Sequence, residues 1–131
     1  MPVLDTDLLV GLIRERPEAI RKLTLLADRA APLLTTAINV AEIRRGVDLA
    51  HDRDRALRDA TRVLQHIPVI SFDARDGEEY GAVAADLERR GLPIGHMDTL
   101  VAAIVRRRGE TVVTRNTRHY SRIPGLLLES W

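Results

Sequence analysis

Three acidic residues are the main candidates for chemistry in this sequence: Asp5, Glu42 and Asp98. Asp5 ends a short apolar run, Glu42 follows a second such run, and Asp98 begins a long apolar stretch after Gly95. If these runs are parallel strands, their carboxyl ends meet at one edge of a sheet and the carboxylates converge. They would repel unless a divalent cation neutralised them. Oxygen ligands suit Mg²⁺ or Mn²⁺, and such sites often activate a water against a phosphoryl group.

Each acid also has a purely structural interpretation. Asp5 and Asp7 could be turn and N-cap residues, and for Asp7 this interpretation is favoured. Asn39 with Glu42 has the spacing of a capping box. Asp98, in a first helical turn, would be stabilised by the helix dipole, yet it also flanks the apolar stripe of that helix. Convergence of the three favours a shared site, because a partly buried acid needs a compensating partner.

Composition excludes several other chemistries. The 131 residues contain no cysteine, which removes disulfides, zinc–thiolate sites and thiol catalysis. Lys22 is the only lysine, so any mechanism that requires a lysine must use it. With 20 basic and 19 acidic residues, the net charge of +1 argues against a partner held by bulk charge, although a local basic rim can still bind phosphate.

The alternation of short apolar runs with helical stretches predicts one α/β domain spanning residues 1–131. We expect a three-layer α/β/α sandwich around a short, mostly parallel, five-stranded sheet. The predicted strands are Pro2–Asp5, Leu33–Thr36, Val69–Phe72, Thr111–Thr114 and Leu126–Glu129. The predicted helices begin near Asp7, Glu18, Asn39, Arg53, Asp73 and Met97, and the last of them ends at Arg106–Arg108 before Gly109.

No apolar run approaches the roughly 20 residues that span a bilayer, so we expect a soluble, cytoplasmic protein without a membrane partner. The first two helices carry more apolar residues than one core-facing stripe requires, for example Leu25 beside Leu26. This surplus indicates either an exposed groove for a partner segment or a thick core.

Four segments, in this order, resemble the PIN-domain family. They are Asp5-Thr6-Asp7, the stretch from Asn39 to Gly46, Gly95-His96-Met97-Asp98, and Val113 to Tyr120 followed by Ile123-Pro124-Gly125-Leu126. The resemblance covers the whole chain, and the nearest pattern within the family is that of the VapC-type toxins of bacterial toxin–antitoxin pairs.

This resemblance implies a Mg²⁺-dependent endoribonuclease that leaves a 5′-phosphate and a 3′-hydroxyl. It implies that Asp5, Glu42 and Asp98 bind the metal directly or through water. Supporting roles fall on four neutral residues: Thr6 and Thr36, which would orient the carboxylates, and Thr114 and Asn116, which would complete the site. It further implies a cognate VapB-type antitoxin, contact with DNA only through that antitoxin, an RNA substrate and a homodimer.

Two positions depart from the family pattern. Asn116 stands where the family often has a fourth acid, which puts a second metal ion in doubt. Asp7 stands where the family often has Asn, and it either adds charge at the rim or caps its helix. Beside Asn116, Arg115 and Arg118 are candidates for RNA contacts or for a solvated loop.

Two other functions compete with the nuclease. Asp5-Thr6-Asp7 after a strand also fits a haloacid-dehalogenase-type phosphatase, but that chemistry needs a lysine near the phosphate and none follows Lys22. The other alternative is a catalytically silent module that acts in a DNA-binding regulatory complex with its partner.

Overall fold

A computed structural model describes residues 1–131. The strands are β1 (Pro2–Leu4), β2 (Thr35–Thr36), β3 (Val69–Ile70), β4 (Thr111–Val113) and β5 (Leu127–Glu129). The helices are α1 (Thr6–Ile13), α2 (Pro17–Ala27), α3 (Ala37–Leu49), α4 (Arg53–Leu64), α5 (Ala74–Arg89), α6 (His96–Arg107) and α7 (Thr117–Tyr120).

All strand pairings are parallel, with β4 between β1 and β5, and β2 beside β3. A bridge between Val3 and Leu34 joins the two ladders, with Leu4 N donating to Leu34 O at 2.7 Å. The resulting order is β3-β2-β1-β4-β5, so β1 lies at the centre. The predicted five strands are present, but they are shorter than expected and form a three-stranded and a two-stranded ladder.

Alternating side chains of the central strands divide the core into two layers. Leu4 and Val113 face the apolar cluster formed with α1 to α4, whereas Val3 and Val112 face the cluster formed with α5 and α6. Helices therefore cover both faces of the sheet, and the predicted three-layer α/β/α arrangement is confirmed. No helix is long and apolar enough to cross a membrane.

Two predicted helix starts are wrong, and both errors concern site residues. The N-cap of α1 is Asp5, whose carboxylate accepts from Thr6 N, and not Asp7. The N-cap of α3 is Thr36, whose capping box is completed by Asn39 and not by Glu42. In both cases the cap lies directly at the end of the preceding strand, which frees Asp7 and Glu42 for other contacts.

The other differences lie at element ends. The second helix, Pro17–Ala27, begins one residue before its predicted start at Glu18, and the four-residue α7 was not predicted. The predicted end of α6 is confirmed, because Gly109 follows its C-cap with φ of 66°, a backbone conformation that favours glycine.

Candidate active site

Asp5 lies at the carboxyl end of the central strand β1, and it is only 4% exposed. Its Oδ1 accepts hydrogen bonds from Thr6 N at 2.9 Å and from Asn39 Nδ2 at 3.0 Å. Its Oδ2 accepts from Thr114 Oγ1 at 2.7 Å. Three donors from three different elements therefore fix the orientation of this carboxylate.

Glu42 is connected to Asp5 through two neutral side chains. Asn39 Nδ2 also donates to Thr6 Oγ1 at 3.0 Å, and Thr6 Oγ1 donates to Glu42 Oε1 at 2.8 Å. Thr6 thus donates to two of the candidate acids, to Glu42 through its hydroxyl and to Asp5 through its backbone N–H. Thr36 contacts none of them and instead orients Asn39, to which its hydroxyl donates at 2.6 Å.

Asp98 lies in the first turn of α6, and its side chain is 25% exposed. Its Oδ2 accepts from Asn116 Nδ2 at 2.8 Å, and the buried Tyr120 hydroxyl lies 3.4 Å from its Oδ1. Asn116 N in turn donates to Thr114 Oγ1 at 3.0 Å, which leads back to Asp5. The segment after β4 therefore connects Asp98 with Asp5.

The acids have almost no cationic compensation. Neither arginine nor lysine forms an ion pair with Asp5, Asp7, Glu42 or Asp98, and only His119 Nδ1 comes within 3.8 Å of Asp98 Oδ2. The pKa of Asp5 is raised to about 6, mainly by burial and to a lesser extent by the charges of Asp7 and Asp98, against the hydrogen bonds from Thr114 and Thr6.

Burial raises the pKa values of the other two acids as well. For Glu42 the charge of Asp98 adds to the effect of burial, whereas the hydrogen bond from Thr6 opposes it. For Asp98 the nearby His119 opposes the effect of burial. Since the carboxylates influence one another through charge, they occupy one electrostatic environment.

These residues fit a hard divalent cation by donor type and by charge. No three acidic or histidine side chains are close enough to form a ready-made ligand cluster, because neutral side chains bridge the carboxylates. Each acid nevertheless keeps oxygen lone pairs that no protein donor fills, and their summed negative charge is uncompensated. Oxygen donors and net negative charge are what Mg²⁺ and Mn²⁺ require.

The basic residues considered for the site differ in their contacts. The guanidinium of Arg115 lies 3.7 Å over the ring of Trp131, and its Nη2 is 3.6 Å from Glu18 Oε1. Arg118 is exposed. Lys22 Nζ donates to Glu129 at 2.6 Å and forms no ion pair with Asp5, so the arrangement that a DxD phosphatase needs does not form.

Sequence reasoning missed three contributors: Asn39, Tyr120 and Trp131. Asn39 lies three residues before Glu42, which places both on one face of α3, so its spacing was an available signal. Tyr120 and Trp131 had no such signal, because their contacts with Asp98 and Asp7 depend on the tertiary fold.

A groove of about 660 Å³ begins at Thr6 and Glu42 and runs between α1, α3 and α4. A second groove, of about 410 Å³ and mainly apolar, lies between α1, α2 and α4. Leu25 and Ile20 on α2 are 58% and 46% exposed. The predicted surplus of apolar surface on the first helices is therefore exposed in part and does not all belong to the core.

The chain is similar to known proteins over nearly its whole length. The family described as PIN domain matches residues 3–126. The tRNA(fMet)-specific endonuclease VapC of Salmonella typhimurium and the ribonuclease VapC2 of Rickettsia felis are each 30% identical over 129 residues, which is 98% of this chain and 96% of theirs. The structure of VapBC2 from Rickettsia felis bound to a promoter DNA fragment matches with a TM-score of 0.92 at 30% identity, over 99% of this chain and 98% of that one.

Proposed function

Because this chain belongs to the PIN-domain family, we propose that it is a metal-dependent endoribonuclease and the toxin of a VapBC-type toxin–antitoxin pair. The observation that carries the proposal is the set of Asp5, Glu42 and Asp98, which are linked by hydrogen bonds at the carboxyl edge of the sheet and lack a lysine or arginine partner. The VapC relatives are an endonuclease and a ribonuclease, which supports RNA as the substrate.

Divalent metal dependence is general among PIN-domain nucleases, and we propose Mg²⁺ as the cofactor here, with Mn²⁺ as a substitute. Asp5, Glu42 and Asp98 would hold the ion. When bound, the ion would neutralise charge and lower the pKa of a bound water, so that this water can lose a proton and attack a phosphodiester at neutral pH. The predicted products carry a 5′-phosphate and a 3′-hydroxyl.

The neutral residues keep these acids in place. Thr6 holds Glu42, Asn39 and Thr114 hold Asp5, and Asn116 holds Asp98. Asn116 carries no charge, so the site has three acids where the family pattern often has four. We therefore propose one tightly held ion. Arg118, exposed beside Asn116, is the arginine that we assign to RNA phosphate, because Arg115 is occupied by Trp131 and Glu18.

We propose a VapB-type antitoxin as the protein partner, with DNA contacted only through that antitoxin. Support comes from the VapBC2 complex, which contains such a pair on promoter DNA, and from the groove that begins at Glu42. A segment of the antitoxin in this groove would lie next to the catalytic acids. We further propose that residues 1–131 form one domain, that the toxin is a homodimer, and that it acts in the cytoplasm, where its RNA substrate is.

The test is cleavage of a mixed pool of structured RNAs by the purified protein with Mg²⁺, with Mn²⁺ and with EDTA. We expect cleavage with metal only, 5′-phosphate ends, and a loss of at least about a hundredfold in Asp5→Asn, Glu42→Gln and Asp98→Asn. Asp48→Asn is the matched control, because this exposed acid pairs only with Arg44 and Arg53.

Full cleavage by Asp98→Asn would refute the site assignment. If the wild-type protein cut no RNA in any metal but still bound its antitoxin, the silent regulatory module would be the better description.

A further inference from the structure

The ring of Trp131, the only tryptophan, packs on one face of α1. Its Nε1 donates to Asp7 Oδ1 at 3.0 Å. One turn further along the same face, a Cβ at Gly11 would lie 3.1 Å from the Trp131 ring and 2.8 Å from Ala19 Cβ. A Cβ at this point of α1 would therefore clash with Ala19 and crowd the ring, and glycine avoids both contacts.

The other contacts of Trp131 and Asp7 come from the loop between β4 and α7. The Arg115 guanidinium stacks on the ring at 3.7 Å, and Arg115 N donates to Asp7 Oδ2 at 2.8 Å. Thr114 Oγ1 is 3.1 Å from the same oxygen of Asp7. Its hydroxyl has one proton, which it donates to Asp5 at the shorter distance of 2.7 Å. Both oxygens of Asp7 are thus occupied by groups from the C-terminal part of the chain.

This loop carries two of the donors that orient the catalytic acids. Thr114 donates to Asp5, and Asn116 donates to Asp98. A loop held on α1 therefore keeps both donors aligned, and a loop released from α1 would let both drift. An interaction that fixes such donors typically changes activity or metal affinity by about ten- to a hundredfold.

We propose that Asp7 is a positioning residue that, together with Trp131, fastens the Thr114–Asn116 loop to α1 and thereby aligns Asp5 and Asp98. This inference rests on the proposed nuclease function. The alternative role for Asp7, as a fourth acid at the rim of the site, is direct binding of the metal. Trp131 separates the two roles, because it touches Asp7 but offers no ligand to a metal.

A double-mutant cycle with Asp7→Ala and Trp131→Phe tests the proposal, with kcat and KM measured per folded molecule. We expect Trp131→Phe to lower kcat about three- to tenfold in the wild-type background, with KM nearly unchanged. In the Asp7→Ala background the same substitution should change kcat less than twofold, because the hydrogen bond is already absent. Asp48→Ala serves as the control, and Asp7→Leu, which likewise offers no acceptor, replaces Asp7→Ala if the latter does not fold.

A second readout does not depend on cleavage. The single indole N–H signal of Trp131 and the amide of Arg115 should exchange slowly with solvent in the wild type and at least about tenfold faster in Asp7→Ala. Equal exchange in both proteins would overturn the proposal, as would a Trp131→Phe effect of the same size in both backgrounds. If the wild type cut no RNA, the nuclease proposal would fail while the exchange data still decided whether Asp7 fastens the loop.

Discussion

Asp5 is the residue whose ionisation the fold opposes most clearly among the site acids. Burial raises its pKa, the hydrogen bonds from Thr114 and Thr6 offset this effect only in part, and the resulting pKa is about 6. An unfolded aspartic acid loses its proton near 3.8. The folded, metal-free protein therefore binds an extra proton between these two values, and it is less stable once that proton is lost.

The resulting pH dependence can be measured without metal. Protonated Asp5 favours the folded state. Its contribution to the free energy of unfolding is complete below pH 3.8 and is lost as the pH rises through about 6. In EDTA, the free energy of unfolding should thus rise on the order of 1 kcal/mol between pH 7.5 and pH 5 on account of Asp5. Urea denaturation at several pH values measures it.

Asp5→Asn provides the comparison, because all other titrating groups are common to both proteins. The pH slope of the variant should be smaller between pH 5 and pH 7.5. Glu129 does not disturb this window, since hydrogen bonds from Arg29 and Lys22 lower its pKa to about 2. Equal slopes in the two proteins would show that Asp5 ionises normally.

The residue types of the site could be predicted from the sequence, but their partners could not. Asp5, Glu42 and Asp98 follow strand ends or begin a helix, and that position alone indicates convergence in a parallel sheet. The contact of Asp7 with Trp131 joins residues 124 positions apart. No local pattern specifies such a contact, so Asp7 was interpreted as a cap.

At the level of elements, the placement of Asp98 depends on how α6 is attached to α5. Asp76 of α5 is fully buried and accepts from Arg107 Nε at 2.7 Å and from Arg108 Nη1 at 2.5 Å. Burial opposes its charge, but these two arginines hold the pKa of Asp76 well below its usual range. The arginines at the end of α6 therefore bind α5 and are not available for RNA.

Removal of this buried acid should destabilise the protein more than removal of an exposed one. Asp76→Ala leaves Arg108 without a carboxylate partner and Arg107 with Asp73 alone, and we expect a loss of about 3 kcal/mol in the free energy of unfolding. Asp86→Ala, in the same helix, breaks a pair with Arg90 in which the aspartate side chain is 39% exposed, and it should cost less than about 1 kcal/mol. Urea denaturation compares the two variants, and equal losses would contradict the expectation.

The elements themselves were predictable where periodicity is strong and less so at their ends. The stripe of α6 and its glycine stop predicted that helix closely. The starts of α1 and α3 were misplaced because Asp5 and Thr36 each end a strand and cap the next helix at once. A two-residue strand such as β2 leaves no room for a separate cap residue, and the sequence pattern located this strand without fixing its bounds.

At the level of the whole molecule, the site exists only when the complete fold has formed. Its groups come from α1, α3, α6 and the segment after β4, and β1 brings them together from the centre of the sheet. The hydrogen bond between Thr114 and Asp5 alone spans 109 positions. A ligand of this site therefore binds the folded chain and has no equivalent site in the unfolded one.

Divalent metal should consequently stabilise the entire protein. A metal concentration of one hundred times Kd adds about 2.7 kcal/mol to the free energy of unfolding, which for a chain of 131 residues raises Tm by about ten degrees. Scanning calorimetry at pH 7.5 with increasing Mg²⁺ measures the shift. Asp98→Asn should lose most of it, because one of three charged ligands is removed, whereas Asp48→Asn should keep it. A shift of equal size in Asp98→Asn would place the stabilising ion elsewhere on the surface and refute the metal assignment.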